Sequence, residues 1–270
     1  DVNPYEKHPN SPNVKMLSLK TRLSVVSFLQ KDVVILDMDL TRKKGIIVGG
    51  GPVNYRLLNN ELKAGYDLLV AADGGGKPLY DLCYIPQILL GDFDSLAPAY
   101  KELITAQGAK MISYKKEKDW TDLELSIKLL MDRGINNIRV FGGLGGRLDH
   151  TLANLSLLYR AKISGFDVTM IGKEEMVILL SSEEQVILSP FAGGHFSLLP
   201  LFEVAEGVNI KGAKFPLENA TIKFGSTIGI HNEFLETSVG IGFRSGYLYL
   251  IVEGIHEYSG EQDIFQRIPV

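Results

Sequence analysis

One cysteine, Cys83, occurs in 270 residues, so the chain forms no internal disulfide and no thiolate metal cage, and a lone thiol fits a reducing compartment. No apolar run reaches the ~18 to 20 residues that cross a bilayer as a helix. The run 23–29 is short and no small-residue cleavage site follows it, so a secretion signal is not expected. Charge of one sign is also missing: 28 Lys and Arg against 32 Asp and Glu give a net charge of -4, with no polybasic stripe for nucleic acid or acidic lipid. These absences predict a cytoplasmic protein with no nucleic-acid partner and no membrane partner. Any anionic ligand must be held by local geometry. A P-loop is excluded because Gly-x-x-x-x-Gly-Lys-Ser/Thr occurs nowhere, and Gly49-Gly50-Gly51 fails the dinucleotide fingerprint because Asn54 stands where its third glycine belongs.

What is present alternates. Strand-like apolar runs at 45–48, 67–71, 87–90, 110–113, 137–141 and 167–171 are separated by helical periods at 53–63, 75–82, 97–107, 121–133 and 148–164. That alternation predicts an α/β domain, a mostly parallel sheet with helices on its faces, in which ligands bind beyond the carboxyl ends of the strands. After about residue 174 the pattern changes to short runs at 176–180, 185–188, 195–199, 209–213, 220–224 and 247–252, punctuated by Gly, Pro, Ser and Asn. A smaller all-β, sandwich-like domain is expected there. The reading divides the chain into an N-terminal extension, 1–43, a catalytic domain, 44–180, and a β domain, 181–270. The first thirteen residues carry three prolines and three asparagines without periodicity and read as a flexible leader; a start at Asp1 fits a truncated leader.

Four segments at the ends of the apolar runs carry the chemistry. Asp73 closes the second run and is followed by Gly74-Gly75-Gly76, which lets backbone approach a ligand. In Gly91-Asp92-Phe93-Asp94-Ser95 two acids flank an apolar anchor, a pattern suited to a hard cation. Asp119-Trp120-Thr121-Asp122 opens a helix, so Asp119 or Thr121 is its cap and Asp122 lies in the first turn beside free amides. Gly142-Gly143-Leu144-Gly145-Gly146-Arg147-Leu148-Asp149-His150 spares the backbone from side-chain clashes and offers a guanidinium that forks onto phosphate oxygens. A carboxylate ~4 Å from a phosphate charge is repelled by ~4 kcal/mol at an effective dielectric of 20. Acids gathered around a polyphosphate therefore require a divalent cation, and magnesium is expected.

A competing signal lies at 33–41, where an apolar run ends in Asp37-Met38-Asp39-Leu40-Thr41. It resembles the opening of haloacid-dehalogenase-like phosphatases, with Asp37 as nucleophile and Asp39 as acid/base. Leu40 occupies the place of a glycine, and the later lysine and paired aspartates have no counterparts at sensible distances.

The four segments, in this order, resemble the thiamine pyrophosphokinase (thiamine diphosphokinase) family over roughly 45–252. The resemblance implies an α/β catalytic domain, a carboxy-terminal β domain and a homodimer whose active sites are shared across the interface. It also implies transfer of the pyrophosphoryl group of ATP to the thiamine hydroxyl, with AMP released. By motif, Asp73, Asp92, Asp94 and Asp122 bind Mg2+ and orient the triphosphate. Asp119, Thr121, Gly145, Gly146 and Arg147 contact ATP, and Asp149 either orients Arg147 or receives the hydroxyl proton. The segments 214–220 and 229–234 resemble those that hold thiamine, with Phe215 stacking on it and Asn232 bonding its aminopyrimidine. His231 departs from the serine common in the family, and the segment before Gly45 is longer than the family pattern. A non-catalytic nucleotide-sensing module on the same fold is the remaining alternative.

Overall fold

The computed structural model describes residues 42–115, 119–256, 258 and 264–270. Asp37 and Asp39 lie outside these residues, as does nearly all of the expected extension. Through residue 171 the chain alternates strand and helix: β1 (Lys44–Val48), α1 (Tyr55–Lys63), β2 (Leu68–Ala72), α2 (Gly76–Asp81), β3 (Ile88–Gly91), α3 (Pro98–Ala106), β4 (Lys110–Ser113), α4 (Asp122–Asp132), β5 (Asn137–Phe141), α5 (Leu148–Ile163) and β6 (Asp167–Ile171). Local chemistry starts the helices. Asn54 Oδ1 accepts from Leu57 N at 3.1 Å to cap α1, Pro98 opens α3, and Thr121 Oγ1 accepts from Glu124 N at 3.1 Å to cap α4.

The six strands pair in parallel in the order β6-β5-β1-β2-β3-β4. Alternate residues of β1 face different cores: Ile46 and Val48 pack in the cluster that holds Leu58, Leu79 and Ile104, whereas Ile47 packs in the one that holds Leu130 and Leu158. Such near-continuous apolar strands are what a sheet covered on both faces requires.

The remaining strands are β7 (Glu175–Ser181), β8 (Glu184–Leu188), β9 (His195–Pro200), β10 (Val204–Lys211), β11 (Leu217–Lys223), β12 (Asn232–Glu233), β13 (Val239–Gly242), β14 (Tyr247–Glu253) and β15 (Phe265–Pro269). They do not stay together. β7 pairs antiparallel with β6 and carries the first sheet onward through β14, β9 and β12 to ten strands, while β11-β10-β13-β8-β15 form a separate antiparallel sheet. Ile178, Leu198 and Leu250 of the first sheet share a core with Val186, Ile210, Ile222 and Ile241 of the second, which is sandwich packing with one leaf borrowed from the α/β sheet. The other face of β7, through Val177 and Leu179, joins Leu157 and Leu158 of α5. The boundary expected near residue 180 thus falls inside β7, and residues 42–270 form one compact unit.

Asp167, at the start of β6, ties this junction. Its carboxylate meets Arg42 at 2.9 Å, Lys162 at 3.1 Å and Arg267 at 3.2 Å, and Glu184 takes Lys162 and Arg267 at 2.7 Å each. Burial alone raises the Asp167 carboxyl, but the cations of Arg267, Lys162 and Arg42 outweigh it and hold the group below its usual range.

Candidate active site

β1 lies between β5 and β2, and β3 follows β2, so the loops leaving these four strands emerge side by side. Gly49 N donates to Phe141 O at 2.7 Å and Gly51 N to Gly142 O at 3.1 Å, which zips the loops after β1 and β5 backbone to backbone. Only glycine allows this approach: Gly142 has φ +69°, and a Cβ there would lie 2.4 Å from Gly49 O. The turn after β2 is equally tight, since a Cβ on Gly75 would stand 1.8 Å from Val48 O.

Asp73 opens that turn in the left-handed region, at φ +47°, a conformation with a steric penalty for any side chain. Gly91 leaves β3 at φ +150°, and a Cβ on it would meet Asp73 Cβ at 3.1 Å and Asp122 Cγ at 3.4 Å. The two acids therefore converge over a bare stretch of backbone. One carboxylate oxygen from each of Asp73, Asp92 and Asp122 lies within 4.8 Å of the others. Asp94 is outside that trio, but its charge still acts on Asp73, and its N–H donates to Asp92 Oδ1 at 3.1 Å.

Asp73 is the strained member electrostatically as well. Ser95 Oγ donates to Asp73 Oδ2, whereas Oδ1 is buried without a hydrogen-bond partner. Burial, and then the charges of Asp122, Asp92 and Asp94, push its carboxyl up to about 6. A buried, unpartnered carboxylate oxygen facing two more carboxylates suits a hard divalent cation, and all-oxygen donors suit Mg2+ in particular. The residues fit the expected ion.

The rest of the predicted site divides. Thr121 is half-buried and its oxygen is engaged as the cap of α4, while Asp119 is exposed. Arg147 makes a two-pronged pair with Asp149, Nε to Oδ1 at 3.1 Å and Nη2 to Oδ2 at 2.5 Å, and both side chains are largely exposed. The hydrogen bond from Arg147 holds the Asp149 carboxyl below its usual range. Gly145 and Gly146, at φ +78° and +73°, lie against Pro52. Asn154 of α5 was not singled out by its sequence, yet it is buried and its Nδ2 donates to Gly143 O at 2.8 Å, pinning the glycine loop. The readable signal was an amide on the apolar face of that helix. Ser95, which carries no chemistry signal of its own in the sequence, holds Asp73 Oδ2.

Asn232 is engaged with the backbone of the Phe215 loop. It is 4% exposed, its Oδ1 accepts from Phe215 N and Glu233 N at 3.0 Å each, and its Nδ2 donates to Phe215 O at 2.7 Å. These bonds lock the Phe215 loop. Phe215 itself presents a 53% exposed ring, with Lys214 Nζ 5.5 Å from its centroid.

Known proteins share this architecture. Residues 60–170 match the family described as thiamin pyrophosphokinase, catalytic domain, and residues 176–248 match its vitamin B1 binding domain. The chain is similar to thiamine pyrophosphokinase of Bacillus subtilis, with 31% identity over 205 residues, 76% of this chain and 96% of that protein. The crystal structure of thiamine pyrophosphokinase from Bacillus subtilis superposes with a TM-score of 0.71 at 30% identity, covering 78% of this chain and 99% of the other. For the Geobacillus thermodenitrificans structure the TM-score is 0.66 at 30% identity, covering 78% and 97%. With both halves matched and nearly all of these relatives' length spanned, the chain belongs to the thiamine pyrophosphokinase family.

Proposed function

We infer that this protein transfers the pyrophosphoryl group of ATP to the hydroxyl of thiamine, with Asp73, Asp92 and Asp122 holding Mg2+ and Asp94 adding to the field that attracts it. The observation that carries this reading is the buried, unpartnered Oδ1 of Asp73 beside two further carboxylates, in a chain whose relatives bear the name of that reaction. Bound Mg2+ supplies the positive charge that lets a triphosphate approach these acids and draws electron density from the phosphorus under attack. The thiamine oxygen bonds to the β-phosphorus, the bond from that phosphorus to the α,β-bridging oxygen breaks, AMP leaves with the bridging oxygen, and the hydroxyl proton passes to solvent.

The chain's own groups position the reactants, and positioning with charge stabilisation carries most of the work in phosphoryl transfer. Glycine loops after β1 and β5 give phosphates close access to backbone N–H groups. Asp149 orients Arg147 toward them; its depressed pKa and its pairing make it a poor base. Asp119 and Thr121 precede Asp122 in the chain and are assigned to ATP, with Thr121 retaining its hydroxyl proton for a phosphate oxygen. Phe215 offers its face to the thiamine rings, and Asn232 acts through it by fixing its loop. Helices distributed between two cores support a Rossmann-like catalytic half ending near 180, followed by a thiamine-binding half. No helix among the described residues is long and apolar enough to cross a membrane, and a cytoplasmic homodimer with shared sites is the proposed assembly. The phosphatase reading through Asp37 has no support among the relatives, and neither has the sensor reading.

Product analysis tests the assignment. Incubation with ATP, thiamine and Mg2+ gives AMP and thiamine diphosphate in equal amounts; ADP or free phosphate as the product overturns it.

A further inference from the structure

Away from the carboxylate site, β12, β9 and β14 run side by side at one end of the large sheet. Antiparallel register places His195 opposite both Glu233 and Glu253. His195 Nε2 and Glu253 Oε2 are 2.9 Å apart. Just before β12, His231 takes the left-handed region at φ +55°, an uncommon conformation for a side chain of this size, and its N–H donates to Ser197 Oγ at 3.0 Å. That turn sets its ring 4.5 Å, centroid to centroid, from the ring of His195. One ligand atom from each of His195, His231 and Glu253 lies within 4.8 Å of the others. Beside them is a cavity of about 380 Å³, walled in part by Phe191 and Phe234.

We propose that His195, His231 and Glu253 form a site for Zn2+ or a similar borderline divalent ion, distinct from the Mg2+ site and bordering the segment 229–234 that resembles a thiamine-holding one. Two imidazoles and a carboxylate are the donors such ions prefer over Mg2+. With metal–ligand bonds of about 2.1 Å, tetrahedral binding brings donor atoms ~3.4 Å apart, which small rotations of two partly exposed side chains and an exposed His231 accomplish. The ion takes the place of the contact between His195 Nε2 and Glu253 Oε2, the imidazole binding as its Nδ1–H tautomer. Its fourth position is open to solvent or to a small ligand in the cavity. Binding there staples the two-residue strand β12 to its neighbours, so it raises the melting temperature.

The test is a titration of the full chain with Zn2+ and with Co2+ in excess Mg2+, which keeps the acidic site filled. One tight equivalent per chain is expected, with the intense visible bands of tetrahedral Co2+ and X-ray absorption showing two imidazole ligands. His231→Ser, His195→Asn and Glu253→Gln, each checked for folding by circular dichroism, weaken Zn2+ binding ~100-fold or more, since losing even an outer-shell partner costs 10–100-fold. Asp122→Asn leaves it unchanged. Absence of binding, no imidazole in the wild-type absorption spectrum, or loss with Asp122→Asn and not with His231→Ser overturns the proposal. The wild-type spectrum decides the matter even if a variant fails to fold.

Discussion

Asp73→Asn separates the two things asked of this residue. Asparagine tolerates the left-handed backbone at φ +47° better than most side chains and still accepts from Ser95, so the turn survives while the charge goes. A carboxyl raised from 3.8 to about 6 by burial and by Asp122, Asp92 and Asp94 is held unfavourably when ionised. In a sealed site that rise would be ~3 kcal/mol; solvent reaching about half of this one reduces it to on the order of 1 kcal/mol. The sign follows from proton binding: between 3.8 and about 6 the folded form holds a proton that the unfolded form releases. Metal-free wild type therefore gains stability as the pH falls through that window, and it carries the full penalty above it. At pH 8 in EDTA, Asp73→Asn melts about 2–4 °C higher than wild type, as ~1 kcal/mol predicts for a unit of this size. The gap closes toward pH 4. Added Mg2+ reverses the order, raising the melting temperature of wild type and leaving the variant nearly still, and the variant loses turnover ~100-fold or more. Scanning calorimetry across pH, with and without Mg2+, reads each of these. A metal-free variant less stable than wild type at pH 8, or one that Mg2+ stabilises as fully as wild type, refutes the reasoning.

Further outcomes follow from the same geometry. Asp92→Asn and Asp122→Asn each cut turnover ~100-fold or more while far-UV dichroism stays native; wild-type rates in both would remove the cation cluster from the mechanism. Asn232→Ala removes two hydrogen bonds to the Phe215 backbone, so it destabilises by about 2 kcal/mol, on the scale of two lost hydrogen bonds, and raises the KM for thiamine more than that for ATP. Gly75→Ala, with its methyl driven onto Val48 O, yields little soluble protein. Asp167→Asn loses stability at neutral pH relative to wild type. Because the folded carboxyl lies below 3.8, that difference is present above 3.8 and disappears as the pH falls through the lower folded value, which urea titrations at several pH values would show.

The parallel half was legible because each buried strand is a short apolar run and each helix carries its own start signal, as with Asn54, Pro98 and Thr121. The carboxylate cluster was legible for a related reason: Asp73, Asp92 and Asp122 each stop a run or open a helix, and parallel topology gathers such positions on one rim. Which sheet β7 joins was not legible: that depends on pairing with β6, and residues 176–180 are apolar on both faces, suited to either. Nor were β12, β13 and β15 foreseen, since strands of two to five residues held by distant partners have no period of their own. The loop-pinning bonds of Asn232 were not legible, because an amide beside a ligand segment looks the same in sequence whether or not it also holds a loop.

The central claim is that three carboxylates from separate segments hold one divalent ion against the nucleotide's phosphates. Mn2+ in place of Mg2+ tests it directly, through the paramagnetic relaxation of the 31P resonances of ATP bound to the protein. Wild type is predicted to bind Mn2+ and to broaden all three phosphate signals, with both effects greatly reduced in Asp122→Asn. Undiminished Mn2+ binding and phosphate broadening in that variant would contradict the account.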